Sequence, residues 1–184
     1  LNLEKKYDVV YLGVLQKLKQ VHLIVYSIFL LNRLGFKTNN IIIGEGPQSE
    51  NLKKLCRDLN IDNINFVGWI SEREKKVKLL NESKILVICS KIEGLPIALM
   101  EAMSCGLPVI ASNVGNISTV VKNNENGFLL DNTNVVNISK SLSDILQDKK
   151  KYSLYSKNAR RIIKTDHSFD KSTREWNKIL SKLV

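Results

Sequence analysis

Cysteine, proline and aromatic residues are scarce in this sequence: its 184 residues hold three cysteines, three prolines and 7% aromatic side chains. Cys56, Cys89 and Cys105 are an odd number with no CxxC pair among them. That argues against a disulfide framework or a zinc ribbon and for a reducing compartment. Long apolar runs are missing as well. The longest, Val21 to Leu31, is broken by His22 and Ser27; it is too short to span a bilayer and suits a buried helix. No internal linker, low-complexity tract or solenoid repeat interrupts the chain. The opening LNLEKKYDVV has neither an apolar h-region nor a starting Met, so the expectation is a cytoplasmic fragment of a longer protein.

What is there is an ordinary globular composition, 43% apolar and 25% charged in 20.9 kDa. That is enough to bury a core without staples, and residues 1–184 read as a single domain. Lys plus Arg outnumber Asp plus Glu by 28 to 18, giving +10. The surplus is spread along the chain, net +6 over residues 1–92 and +4 over 93–184, and 22 of the 28 cations are lysines. Nucleic-acid binders concentrate charge on one face and lean on arginine, so no nucleic-acid partner is expected. A solvated lysine-rich surface is the plain reading, and attraction to anionic lipid or an anionic substrate is its alternative.

Short β-branched runs recur at 7–13, 40–46, 64–69, 84–90, 107–112 and 127–130. Most are continuously apolar, as expected of parallel strands covered on both faces. Helix-period stretches separate them, and Ser71 with Glu74 reads as a capping box opening one of these. After Leu130 the pattern turns purely helical, over 134–148, 151–164 and 169–183. The fold class is therefore α/β, a Rossmann-like doubly wound parallel sheet of about six strands with helices on both faces and a helical C-terminal tail. Ligands of such sheets sit beyond the carboxyl ends of the strands.

Two loops at that end stand out. After the second strand comes Gly44-Glu45-Gly46-Pro47, which suits either a tight turn or close approach to a phosphate. After the fourth comes the segment from Ser90 to Ala102. There Gly94 permits an unusual backbone angle and Pro96 suits the first turn of a helix. Free amides near Leu95, Ile97 and Ala98, together with the helix dipole, make a site for a diphosphate. Glu93 falls in the loop and Glu101 a turn and a half inside the helix, too far apart for a shared proton. Glu101 suits a ribose diol, the plain alternative being an exposed helix glutamate; its apolar neighbours Leu99, Met100, Ala102 and Met103 favour the former. His22 and His167 have no partners at metal-ligand spacing, and no metal site is expected. The cysteines read as small core hydrophobes, Cys105 the most accessible.

Residues 93–112, EGLPIALMEAMSCGLPVIAS, closely resemble the signature of retaining, family-four-type glycosyltransferases with the GT-B fold. The likeness extends to Ile41–Pro47, which resembles their glycine loop, to Asn65–Trp69, to Asn126–Leu130 and to the helical tail. The resemblance implies the C-terminal, donor-binding half of a two-domain enzyme. A nucleoside-diphosphate sugar, most readily a UDP-hexose, is the substrate, and no cofactor or metal is required. An acceptor-binding domain is the missing partner, in the same longer chain or as a separate subunit. It further implies that Glu101 holds the ribose and Glu93 meets the donor sugar. The amides after Gly94 bind the diphosphate, beside the Gly44–Gly46 loop, and backbone at Trp69 and Ile70 borders the base. Lys19 falls where the family has a lysine for the leaving diphosphate. Val14 replaces the family's arginine, and Lys17, one residue from the expected path, is a candidate to compensate.

The function expected is retaining hexosyl transfer, in cell-surface polysaccharide or glycolipid synthesis, with peripheral contact at the inner membrane face. The isolated chain is expected to bind donor and transfer little sugar. Its alternative is a non-catalytic subunit that works only with an acceptor-domain partner. A GT-B epimerase or phosphorylase fits residues 93–112 less well.

Overall fold

The computed structural model describes residues 4–181. Six strands are present, β1 (Tyr7–Leu12), β2 (Asn40–Ile43), β3 (Ile64–Phe66), β4 (Ser83–Ile88), β5 (Val109–Ser112) and β6 (Gly127–Leu130). They form one sheet in the order β3-β2-β1-β4-β5-β6, and every pairing is parallel. The helices are α1 (Val21–Arg33), α2 (Ser49–Asp58), α3 (Arg73–Asn81), α4 (Ile97–Ser104), α5 (Ile117–Val120), α6 (Val135–Gln147), α7 (Lys149–Asp166) and α8 (Phe169–Leu180).

The period of two along each strand divides the core into two layers. Val9 and Tyr11 of β1, Ile42 of β2, Ile85 and Val87 of β4 and Ile110 of β5 point to one face, against α1, α2 and α6. Val10, Ile41, Ile43, Leu86, Ile88, Val109 and Ala111 point to the other, with α3, α4, α5 and part of α7. The apolar run from Val21 is the buried helix its sequence implied, with Ile24, Val25, Ile28 and Leu31 at most 1% exposed. Because the chain runs from β1 outward to β3 and then returns to β4 on the far side of β1, the loops after β1 and β4 part company. A crevice opens there at the carboxyl ends of the strands.

Several boundaries differ from the sequence-based expectation. The capping box at Ser71 and Glu74 does not form. α3 begins at Arg73, Glu72 is its extended N-cap, and no side chain caps it; Ser71 stands one residue too far upstream to reach a first-turn amide. β5 starts at Val109 rather than Leu107, since Pro108 has no amide to give to the ladder. α7 starts at Lys149, because Asp148 caps it by accepting hydrogen bonds from the amides of Lys150 and Lys151. The tail helix ends at Leu180; its expected extension to residue 183 lies partly outside the described residues.

Candidate active site

The loops after β1 and β2 lie against each other. The Gly13 amide donates to the Ile43 carbonyl at 3.0 Å, the Leu15 amide to Glu45 at 2.8 Å, and the Gln48 amide to Leu15 at 2.9 Å. This contact is why glycine stands at 44 and 46. Gly44 has φ +138°, and a Cβ there would sit 1.9 Å from the Gly13 carbonyl oxygen, while one at Gly46 would meet Leu15 backbone at 2.5 Å. Both glycines are therefore needed by the fold itself, whatever ligand they also face.

Beyond these loops lie two neighbouring hollows. One, of about 480 Å³, is bordered by Gly44–Gly46, by Lys53 of α2 and by Phe66–Gly68 after β3. The other, of about 230 Å³, lies between Gly13, Val14 and Lys19 on one side and Glu93 with Pro96–Ala98 on the other. Leu15 and Gly46 line the larger hollow, and Gly13 and Val14, just before Leu15 in the chain, line the smaller.

Lys19 and Glu93 meet inside the smaller hollow. Lys19 Nζ donates to Glu93 Oε1 at 2.7 Å, and Ser90 Oγ donates to the same oxygen at 2.6 Å. The side chains are 24% and 11% exposed. A carboxylate this enclosed is held in place by its two donors, and it offsets the lysine's charge. Ser90 itself is fixed to β5 by Ser112 Oγ, which donates to the Ser90 carbonyl at 2.7 Å. Beneath them Tyr11 donates its hydroxyl to the Val14 carbonyl at 3.0 Å, and burial pushes the phenol well above its ordinary range. The buried Cys89 thiol, which donates to the Gln20 carbonyl at 3.2 Å, is pushed by burial up to about 12 and is no nucleophile.

α4 points its N-terminus at this hollow. Its N-cap is Pro96, extended at ψ 128°, and no side chain caps the helix. Pro96 thus lies one residue before the first turn in which the sequence placed it; its carbonyl accepts the first helical bond, from Leu99 at 3.1 Å. The amides of Leu95, Ile97 and Ala98 make no backbone hydrogen bond; Ile97 and Ala98 line the hollow at the positive end of the helix dipole, and Leu95 does not line it. Gly94 departs from expectation. Its φ is not positive, and a Cβ there would meet nothing within 4 Å. What it leaves is open space above the loop.

Glu101 sits four residues beyond Ile97, about 6 Å along the helix axis. It is half-buried and forms an ion pair with Lys76 of α3. Trp69 is 71% exposed, while Ile70 is buried in the core; neither lines the larger hollow, which Phe66, Val67 and Gly68 border instead. Lys17 is exposed on a 3-10 turn at Lys17–Lys19 and lines neither hollow. Among the described residues no group of His, Cys, Asp and Glu is arranged to hold a metal ion.

Four contributors escaped sequence reasoning. Lys76 is one of several similar lysines on α3, and only the packing of α3 beside α4 singles it out. Ser90, at the end of an apolar strand, and Lys53, on an exposed helix face, are equally mute. Gly115 carries a signal that was open to reading, a glycine within the Asn113-Val114-Gly115-Asn116 turn after a strand. Its φ is +57°, and a Cβ would lie 1.9 Å from the Glu93 carbonyl oxygen. The Asn116 amide, next in sequence, donates to the Gly94 carbonyl at 2.9 Å. Gly115 thereby lets the loop that carries Glu93 settle.

Residues 1–162 match the family model of glycosyl transferases group 1. The chain belongs to this family. It is 35% identical over 142 residues to an uncharacterized glycosyltransferase of Haemophilus influenzae, covering 76% of this chain and 39% of that protein. Among solved structures, TarM of S. aureus in complex with UDP superposes with a TM-score of 0.86 at 21% identity, covering 97% of this chain and 36% of TarM. The C-terminal domain of LpcC, a glycosyl transferase group 1 protein from Francisella tularensis, superposes with a TM-score of 0.80 at 22% identity, covering 91% and 89%. The Rossmann-like GT-B half is thus the fold of this glycosyltransferase chain, which spans well under half the length of the Haemophilus protein and of TarM.

Proposed function

We propose that this chain is the donor-binding half of a retaining glycosyltransferase, a single domain that takes a UDP-hexose and needs an acceptor-binding domain to transfer the sugar. The observation that carries the proposal is that the unpaired first-turn amides of α4, at Ile97 and Ala98, share one hollow with Lys19, while a second hollow opens at the Gly44–Gly46 loop. In this reading the diphosphate lies on the amides of Leu95, Ile97 and Ala98. The base enters the larger hollow beside Phe66–Gly68, Glu101 accepts hydrogen bonds from the ribose hydroxyls, and Glu93 faces the sugar. The uridine is supported by analogy with TarM, whose structure holds UDP.

Charge accumulates on the diphosphate as the sugar–phosphate bond breaks. Lys19 and the α4 N-terminus stabilise it in place, a task that requires no metal. The acceptor hydroxyl attacks from the face the diphosphate leaves, gives its proton to that diphosphate, and so keeps the anomeric configuration. Glu93, fixed by Lys19 and Ser90, orients the sugar for this step.

The acceptor domain has a surface to meet. Phe169, Trp176, Ile179 and Leu180 of α8 are each more than half exposed, at a spacing that aligns them on one stripe. The surplus of ten positive charges suits an acceptor carried on an anionic membrane lipid, as in glycolipid or surface-polysaccharide synthesis. No described helix is long and apolar enough to cross a membrane. Val14, in place of a cation at the diphosphate hollow, favours a second reading, a non-catalytic subunit that binds donor for a partner chain.

Calorimetric titration with UDP, GDP and ADP tests the proposal. One nucleotide, expected to be UDP, should bind, and Glu101→Ala should weaken it at least ~10-fold through loss of charge-assisted hydrogen bonds. Binding of none of the three would overturn the donor-site assignment. Adding the acceptor domain should then yield sugar transfer that persists in EDTA; UDP binding without transfer would favour the second reading.

A further inference from the structure

A cavity of about 680 Å³ lies at the opposite end of the sheet from the site described above. Its floor is made where the strands begin: Lys5 just ahead of β1, Asn81 at the end of α3 two residues before β4, and the Cys105–Gly106 end of α4. α7 forms its wall. Four cations of that helix, Lys157, Arg160, Arg161 and Lys164, line the cavity with Lys5 opposite them. Their spacing of three, one and three residues puts all four on a single stripe, while Tyr155, Ala159 and Ile162 turn the other way into the core.

This stripe has no structural counter-charge. No Asp or Glu lines the cavity, and none of the four α7 cations forms an ion pair with a described residue. Like charges three and four residues apart on a helix repel, at a cost of a few tenths of a kcal/mol per pair. The helix dipole rewards Lys164 in the last turn, but its effect fades within that turn and leaves Lys157 and Arg160 without compensation. Lys5 is already committed. Its Nζ donates to the carbonyls of Asn81 and Ser83 at 2.9 and 2.8 Å, and burial lowers its pKa below the ordinary lysine range. An anion in the cavity would offset that burial and the repulsion along α7 together.

We propose that this cavity is a second ligand site, separate from the donor site, for a compact multivalent phosphate gripped by Arg160 and Arg161 of α7. Two guanidinium forks give bidentate recognition of phosphate oxygens that lysines alone cannot. The cavity is roomier than one inorganic phosphate requires, which points to a phosphorylated small molecule or a phospholipid headgroup as the source.

The test uses the chain in saturating UDP, so that the α4 N-terminus is occupied, titrated calorimetrically with inorganic pyrophosphate. In parallel the chain is sedimented with phosphatidylglycerol vesicles and with phosphatidylcholine vesicles. Arg160→Gln/Arg161→Gln is compared with Lys149→Gln/Lys150→Gln, which removes the same charge from the exposed start of α7. The expected result is one-to-one binding weakened about tenfold or more by the arginine pair and little by the lysine pair, as loss of charge-assisted forks implies. Pyrophosphate binding without sedimentation assigns a soluble phosphate. Sedimentation with phosphatidylglycerol alone, relieved by pyrophosphate and by the arginine substitutions, assigns the headgroup. Absence of both, or equal behaviour of the two double variants, would overturn the site and leave only diffuse positive charge.

Discussion

Lys19 and Glu93 stand 74 positions apart in the chain, and their charged atoms lie 2.7 Å apart in space. The pair joins the loop after β1 to the loop after β4 across the crevice. The carboxylate offsets the lysine's charge, so in the proposed reading a diphosphate competes with Glu93 for it.

The two residues should then respond in opposite directions. Lys19→Met is expected to weaken UDP about tenfold, the worth of one charge-assisted bond, and to lower transfer by on the order of 100-fold when the acceptor domain is supplied. Glu93→Gln should bind UDP at least as tightly as the parent, because Lys19 is released, while transfer falls. Titration and a UDP-release assay on both variants check this. A Glu93→Gln protein that loses UDP as Lys19→Met does would show that the carboxylate is there only to shape the loop.

Glycines 94 and 115 offer a separation of fold from ligand. Ala at 115 would face a positive φ of +57° and a Cβ 1.9 Å from backbone; the loop must move, at a cost of at least ~1 kcal/mol. Ala at 94 meets nothing. Gly115→Ala should lower the melting temperature by several degrees, whereas Gly94→Ala should melt with the parent and bind UDP-sugar more weakly, since its methyl group occupies the space above the diphosphate. Thermal melts with and without UDP distinguish the two.

How much of this could be read beforehand depends on the range of the interactions. Continuous apolar runs such as Ile85–Ile88 and the eleven residues from Val21 announce burial by themselves, and both became core elements. The break between helices 134–148 and 151–164 was legible, but Asp148 ends α6 and opens α7 at once, a tighter join than the helical periods alone indicate. Glu101 was legible because a carboxylate within apolar surroundings needs a partner, and Glu93 through the resemblance of residues 93–112. The partners themselves were not, for Lys76 and Lys19 differ from their neighbouring lysines only in what tertiary packing brings near them. Trp69 enters only through the family resemblance, for its backbone; its side chain lies mostly in solvent, and nothing in its own sequence context gives it a role.

The start of α1 predicts a pH dependence. His22 is the second residue of that helix, and its pKa is lowered by burial first and by Lys91 second. The positive end of the helix dipole acts in the same direction. A folded-state pKa below the unfolded value near 6.5 means that the unfolded chain binds the proton more readily. Stability is therefore complete above about pH 7 and declines as pH falls through 6.5 toward the folded value. Melting temperatures from pH 8 to pH 5 should show this decline in the parent, and a shallower one in His22→Gln. Identical profiles would mean that His22 makes no contribution to acid sensitivity.

Val14 allows a gain rather than a loss to be sought. It is 36% exposed and lines the smaller hollow, where the proposal places the diphosphate, and its backbone is pinned by the Tyr11 hydroxyl on the Val14 carbonyl at 3.0 Å. A longer side chain can therefore enter the hollow without moving the loop. Val14→Arg would place a guanidinium opposite the α4 amides, adding a bidentate phosphate contact that Lys17, exposed outside the hollow, does not supply. UDP binding should tighten about tenfold and UMP binding by much less, because only the second phosphate reaches the new group. Stability should change by no more than about 0.5 kcal/mol, as for other surface substitutions. Equal gains for UDP and UMP would place the new charge in the general field of the protein rather than on the diphosphate, and no gain at all would turn the β1 loop away from the phosphates.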